Sequence, residues 1–237
     1  MAYAFVSSTD FGDTTSSTTV QLSSYTIATG ERLHAWVTYG SGTAVSESMS
    51  DGTNTWSKIG TTLSDSGNTQ SSVQFECLSA TGGTYTITCT LGSAQVYRGI
   101  CVARYTGLAS TGTGQTAATH NVGPGSGAGA VTSGNLTPAG QPGMLRGVSM
   151  DDSATESSLT AAGGATSRGA MSNIETSFFV KTMTEDKSIT STSAVAATFT
   201  AGSGTGNFLT MAYYAQESGG GGGGSPVSQL MLLGVGP

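Results

Sequence analysis

The sequence predicts an all-β protein: an antiparallel β-sandwich of jelly-roll or immunoglobulin-like type, built as one sandwich or as two similar halves, with an extended C-terminal arm. Three observations lead there. Apolar and polar residues alternate through Val73-Gln74-Phe75-Glu76-Cys77, Tyr85-Thr86-Ile87-Thr88-Cys89-Thr90 and Val96 to Tyr105, the period-two signature of strands with one buried face. Clusters of Gly, Ser, Thr and Asn interrupt such runs roughly every eight to twelve residues, the spacing of sandwich strands. No stretch carries the period of an amphipathic helix.

In chain order, residues 2–6 read as a short strand and Ser8 to Ser17 as a polar connection. Asp10 and Asp13 fall in that connection without a third acid to complete a calcium shell, so they read as solvated turn residues. Thr18 to Ile27 forms a second strand with Val20 and Leu22 inward. After the turn at Thr29-Gly30, Arg32 to Tyr39 reads as a central strand with Leu33, Ala35, Val37 and Tyr39 on one face. His34, Trp36 and Thr38 occupy the other face. A tryptophan there requires a second cover, supplied by the other half of the chain or by another molecule, which makes Trp36 a candidate partner-binding residue. His34 has no acidic or nucleophilic neighbour and reads as structural.

Asp51-Gly52 supplies the positive dihedrals of a tight hairpin leading into a strand anchored by Trp56. The three strands between Ser71 and Leu108 follow. The last puts Tyr97, Gly99, Cys101, Ala103 and Tyr105 on one face, with Arg98 and Arg104 on the other. Cys77, Cys89 and Cys101 then point inward as buried thiols, a bridge between adjacent strands being the alternative.

Four segments emerge: residues 1–108, a sandwich half or domain; 109–141, a Gly/Thr/Ala-rich connector; 142–217, a second half; and 218–237, a spacer and arm. Within the connector, Gly123-Pro124-Gly125-Ser126-Gly127-Ala128-Gly129 lacks the Lys-Ser/Thr ending of a phosphate loop. The second half retraces the first. Met144 to Met150 sits where Arg32 to Tyr39 did, Ala165 to Arg168 matches Thr55 to Lys58, and Phe178-Phe179-Val180 matches Phe75-Glu76-Cys77. Val195 to Thr200 matches Tyr85 to Thr90, and Phe208 to Tyr214 takes the place of the strand ending at Tyr105. The offsets stay near about 103 to 112 residues, as a degenerate duplication gives.

Six glycines, Gly219 to Gly224, precede an apolar peptide ending the sequence. Polyglycine is a flexible spacer, and the peptide is too short to cross a bilayer. Leu230, Met231, Leu232, Leu233 and Val235 are therefore candidate partner-binding residues of an arm that docks on a neighbouring subunit or partner, the alternative being a tail that folds back on its own sandwich.

Only 9% of the residues are charged, and eight basic against fourteen acidic residues leave a net charge of −6. The scattered cations make no stripe for phosphate neutralisation, so nucleic acid is not an expected partner; nor is a membrane. Residues 1–6 show no signal-peptide pattern, which leads us to expect a chain made and kept in a cytosol until it is assembled or released. His34 and His120 lie in unlike contexts, too few for a multi-histidine metal site or a Ser-His-Asp arrangement. Asp151-Asp152 and Glu156 form the densest acidic patch, read as exposed loop acids rather than a glycosidase pair. No catalytic residue, metal site or cofactor is expected.

Ser50-Asp51-Gly52-Thr53-Asn54-Thr55-Trp56, Tyr85 to Thr90 and Val102-Ala103-Arg104-Tyr105-Thr106-Gly107 together resemble β-sandwich modules of tailed-phage structural proteins. Arg104 stands where that family usually has an acid, and Gly52 is displaced relative to Asn54. The resemblance implies a non-enzymatic virion component: a capsid decoration or cement protein that binds the major capsid protein or other virion subunits as a homo-oligomer. A tail-fibre or head-fibre module that binds a host receptor or glycan is the alternative, with Trp36 and tyrosines stacking on sugar.

Overall fold

In the computed structural model, residues 2–122, 128–151, 158–169, 181–203 and 206–219 are described, and every regular element among them is a β-strand. The first eight strands are β1 (Ala4–Asp13), β2 (Ser17–Ile27), β3 (Arg32–Tyr39), β4 (Glu47–Ser50), β5 (Ser57–Asp65), β6 (Gln70–Cys77), β7 (Gly83–Gln95) and β8 (Arg98–Thr106). The next eight are β9 (Gln115–Val122), β10 (Gly129–Thr132), β11 (Gly143–Asp151), β12 (Leu159–Ala161), β13 (Thr166–Gly169), β14 (Lys181–Ile189), β15 (Thr198–Ala201) and β16 (Asn207–Gln216).

These strands form four antiparallel sheets whose orders repeat. The first half makes a five-stranded sheet β1-β8-β3-β6-β5 opposite a three-stranded sheet β2-β7-β4. Adding eight to each strand number gives the second half: β9-β16-β11-β14-β13 opposite β10-β15-β12. Each half is thus an eight-stranded sandwich wound in jelly-roll fashion, with its fifth strand joined to the larger sheet. Four of the five segment matches read from the sequence fall on equivalent strands. The fifth, Phe178-Phe179-Val180, lies outside the described residues.

Each sandwich has its own core. Leu33, Ala35, Val37, Val73, Phe75, Ile100 and Val102 from the five-stranded sheet meet Val20, Leu22, Ile27, Ile87 and Cys89 from the three-stranded sheet. In the second half Leu145, Ala212 and Tyr214 meet Val131, Leu159 and Phe199. The two five-stranded sheets then pack face to face, so β3, β6 and β11 are buried along their whole length. Trp36 and Cys101 of the first half pack with Val148, Met150, Leu209 and Met211 of the second. Tyr105 and Ala103 likewise pack with Met144, Tyr213 and Ala215. The order of layers is three, five, five and three strands.

Several expectations change. The polar stretch after residue 6 is not a loop, because β1 continues through a bulge at Val6 to Asp13 and pairs with β8 throughout. Asp51-Gly52 does not close a hairpin: β4 and β5 belong to different sheets, and the turn arches between them with Gly52 at φ +81°. Residues 115–122 and 129–132 of the expected connector form β9 and β10, which occupy the same places as β1 and β2. Their small side chains suffice because β9 is an edge strand lying against β5. All three cysteines are buried free thiols, but they divide between two interiors: Cys77 and Cys89 enter the first core, and Cys101 enters the seam.

Candidate functional site

The polar chemistry of the described chain concentrates in the seam between the two five-stranded sheets. Arg32, at the start of β3, donates from Nε to Tyr213 Oη (2.7 Å), from Nη2 to Glu76 Oε2 (2.6 Å), and from Nη1 to the Ala109 carbonyl (2.7 Å). Tyr213 in turn donates to Glu76 Oε2 (2.9 Å), and the Gly114 amide donates to Glu76 Oε1 (3.0 Å). Burial alone would lower the Arg32 pKa; the tyrosine and the carboxylate outweigh it, and the guanidinium stays charged. A buried ion pair satisfied on every side in this way fixes orientation more than it adds stability.

Arg146 on β11 is equally buried but less well compensated. Its Nη2 reaches Cys101 Sγ (3.3 Å) and its Nη1 the His34 carbonyl (3.5 Å), while Nε meets no partner. Asp186 stands opposite it in the ladder, yet turns its carboxylate to Arg168, which binds it through Nε and Nη2 at 2.7 Å each. Tyr105 from the first half adds a donor to the same carboxylate (3.3 Å). Arg168 lies over the Phe5 ring, 4.1 Å from its centroid, and its carbonyl accepts from Ser8 Oγ (3.1 Å). On the opposite side of the seam, His120 Nε2 approaches Asp65 Oδ2 (3.3 Å). Thus β1 meets β13 and β5 meets β9, a pairing that a twofold relation between the halves requires.

The residues singled out from the sequence resolve as follows. Trp36 is fully buried in the seam and donates its indole N–H to Ser72 Oγ, so its second cover is the other half of the same chain. It is therefore not available to an outside partner or a sugar, because the 142–217 segment already occupies that face. His34 is structural as expected: fully buried and stacked on Tyr213 with ring centroids 4.3 Å apart. Asp151 ends β11 fully buried rather than exposed in a loop, while Asp152 and Glu156 lie outside the described residues. Asp13 accepts from Thr15 and pairs with Arg98 (2.9 Å), an anchoring role in which its pKa falls mainly through the Thr15 hydrogen bonds. Trp56 and the Asn54 side-chain amide donate to Asp51 Oδ2 (3.1 and 2.8 Å), while Asp51 Oδ1 accepts from the backbone amides of Thr53 and Asn54. The arm residues Leu230, Met231, Leu232, Leu233 and Val235 lie outside the described residues.

One surface feature was not legible in the sequence. Thr9, Asp10 and Phe11 of β1 and Thr19 to Ser23 of β2 line a groove of about 410 Å³ at the open flank of the first sandwich. Phe11 stands opposite Ile100 in the ladder, on the face turned toward the core, but is 38% exposed, with no strand among the described residues paired to the outer edge of β1. The equivalent flank of the second sandwich is closed: Asn121 Nδ2 on β9 donates to the Thr132 carbonyl of β10 (2.8 Å). Alternation in β1 is interrupted by its bulge, so the sequence pattern could not show that Phe11 faces inward.

Comparisons of the chain with protein-family models, with curated proteins and with solved structures give no match.

Proposed function

We propose that this protein is a non-enzymatic structural component of a virion, a capsid decoration or cement protein that binds the shell and adds contacts between its subunits. The supporting observation is where the charges go. Arg32, Arg98 and Arg146 are buried, and Arg104 and Arg168 are clamped by Glu31 and Asp186. The cations that would normally cover a surface instead tie the strands together, leaving outer faces rich in Thr, Ser and Gly with weak fields. Such a body suits close, repeated contact with neighbours, since little ionic hydration must be removed. The two sandwiches share a buried seam, so the body transmits load as one piece. The phage-module resemblance of residues 50–107 points the same way, and the tethered arm supplies an additional contact at high effective concentration.

The test is binding to capsids that lack the protein. Purified chain should co-sediment with them to a saturable, symmetry-related stoichiometry and raise the temperature at which they rupture. Absence of binding to any shell surface overturns the role.

A further inference from the structure

The groove at the β1–β2 flank has an identifiable occupant. We infer that the apolar segment 225–237 of the same chain seats in it as an added strand, with side chains from Leu230 to Val235 resting on Phe11, Val20 and Leu22.

Reach supports this. The described chain leaves the body at Ser218, whose amide donates to the Gly107 carbonyl (2.8 Å), with Glu217 bridged to Leu108. Gly107 abuts Ala2 and Tyr3, so the exit lies at the beginning of β1. Thr9 to Phe11 lie five to seven residues further along that strand, ~17–24 Å at about 3.4 Å per residue. The six-glycine spacer covers up to ~20 Å, and Leu230, twelve residues past Ser218, reaches up to ~40 Å. The tether therefore delivers the apolar segment to its own groove without strain.

Chemistry supports it as well. β1 and β2 are both edge strands, one in each sheet, and the groove lies between them. Val6 and Phe11, two of the three large apolar residues that are markedly exposed among the described residues, both belong to β1. An extended peptide with the consecutive apolar residues Leu230 to Leu233 presents an apolar side chain to such a flank in either register and can pair its backbone with an edge. The hexaglycine tether favours the chain's own segment over a second copy, because a short flexible linker imposes an effective concentration on the order of millimolar. The inference is independent of the virion role. It gives that role a reasonable starting state, since an apolar arm left exposed before assembly would promote aggregation.

The test is cross-linking in the full chain. Thr9→Cys is combined in turn with Leu232→Cys and Leu233→Cys, one from each side of an extended arm; the three native thiols are buried and do not compete. Mild oxidation should produce a disulfide within monomers in at least one pair. Disulfide-linked dimers would overturn the inference in favour of a neighbouring copy. A second measurement guards against an unfavourable register: amide exchange over 230–235 should be at least ~10-fold slower in the native chain than in Phe11→Asp. Unprotected exchange in both, with no cross-link, refutes the seat. Neither outcome bears on capsid co-sedimentation, so the two readings fail separately.

Discussion

Arg32 and Arg146 hold the same place in the two halves of the molecule: Arg32 lies opposite Tyr105 in the β3–β8 ladder, and Arg146 lies opposite Tyr213 in the β11–β16 ladder. Each arginine then looks across the seam at the other half's tyrosine. The repeat therefore extends from strand order to individual side chains, and it relates the halves as two subunits of a dimer would be related. The equivalence is incomplete in its counter-ions. Arg32 has Glu76 at 2.6 Å, whereas the carboxylate opposite Arg146 is held by Arg168.

That difference makes the Arg32 cluster the sensitive point of the seam. Glu76→Gln leaves a buried guanidinium with its carboxylate removed, and should lower unfolding free energy by about 3–5 kcal/mol. Tyr213→Phe removes two hydrogen bonds while keeping the ring stacked on His34, and should cost about 1–3 kcal/mol. Urea denaturation measures both, and a double-mutant cycle should show strong coupling. A Glu76→Gln cost below about 1 kcal/mol would mean the cluster is not what holds the halves in register.

The contribution of His34 to stability should weaken in acid. It faces Arg32 on its own strand, Arg146 and Tyr213 from the second half, and Glu76 on β6. Burial, then the Arg146 charge, push its pKa well below 6.5, with a smaller upward pull from Gln74. Neither ring nitrogen has a partner in good hydrogen-bond geometry. The unfolded chain takes up a proton near pH 6.5 that the native state refuses, so this residue's contribution falls as pH drops below that value, by up to about 1.4 kcal/mol per pH unit. His34→Phe keeps the stack on Tyr213 and should remove this contribution, read as the change in the pH slope of stability relative to wild type in denaturation measured between pH 5 and 7.

The sequence spoke most clearly where one face of a strand is apolar and the other is not. That holds for β6, β7 and β8, and for the double burial of β3 signalled by Trp36. It did not say which sheet each strand joins, because β6 and β7 alternate alike yet lie in opposite sheets. β9 and β10 were hidden by composition: half of Gln115 to Val122 is Thr and Ala, and it forms a strand because β16 templates one side of it. The seam's polar cluster was invisible for a different reason. Arg32, Glu76, Tyr213 and Arg146 are far apart in the chain, and only the packing of two sheets makes them neighbours.

The thiols provide a readout of that packing. Burial raises the pKa of Cys77, and of Cys89 to about 12; it also raises that of Cys101, although Arg146 opposes the shift. All three should resist iodoacetamide at pH 8 in the native protein and react fully in denaturant. Cys101 alone faces the second half. Conditions that separate the sandwiches without melting them should label Cys101 first, followed by mass spectrometry of the peptides; simultaneous labelling would indicate that the halves unfold together.

Glu185 supplies the opposite pH response, and the two should nearly cancel. Its carboxylate is buried in the second sandwich, accepting from the amides of Ala162 (3.1 Å) and Thr198 (3.2 Å), and burial pushes its pKa up to about 7. Between its ordinary value near 4.5 and pH 7 the native state holds a proton that the unfolded chain has released. Its contribution to stability is therefore full below pH 4.5 and is lost as pH rises through 7, on the order of 3 kcal/mol in all. From pH 5 to 6 the folded state carries one proton too many at Glu185 and one too few at His34, so the slopes have opposite sign and similar size. Wild-type stability should be almost flat there. Glu185→Gln should reveal the rise with pH that His34 produces, and His34→Phe the fall that Glu185 produces. The slopes matter rather than the absolute values, since a glutamine cannot accept from both amides and will itself be destabilising. Parallel, unchanged slopes in both variants would show that neither group titrates differently in the folded state.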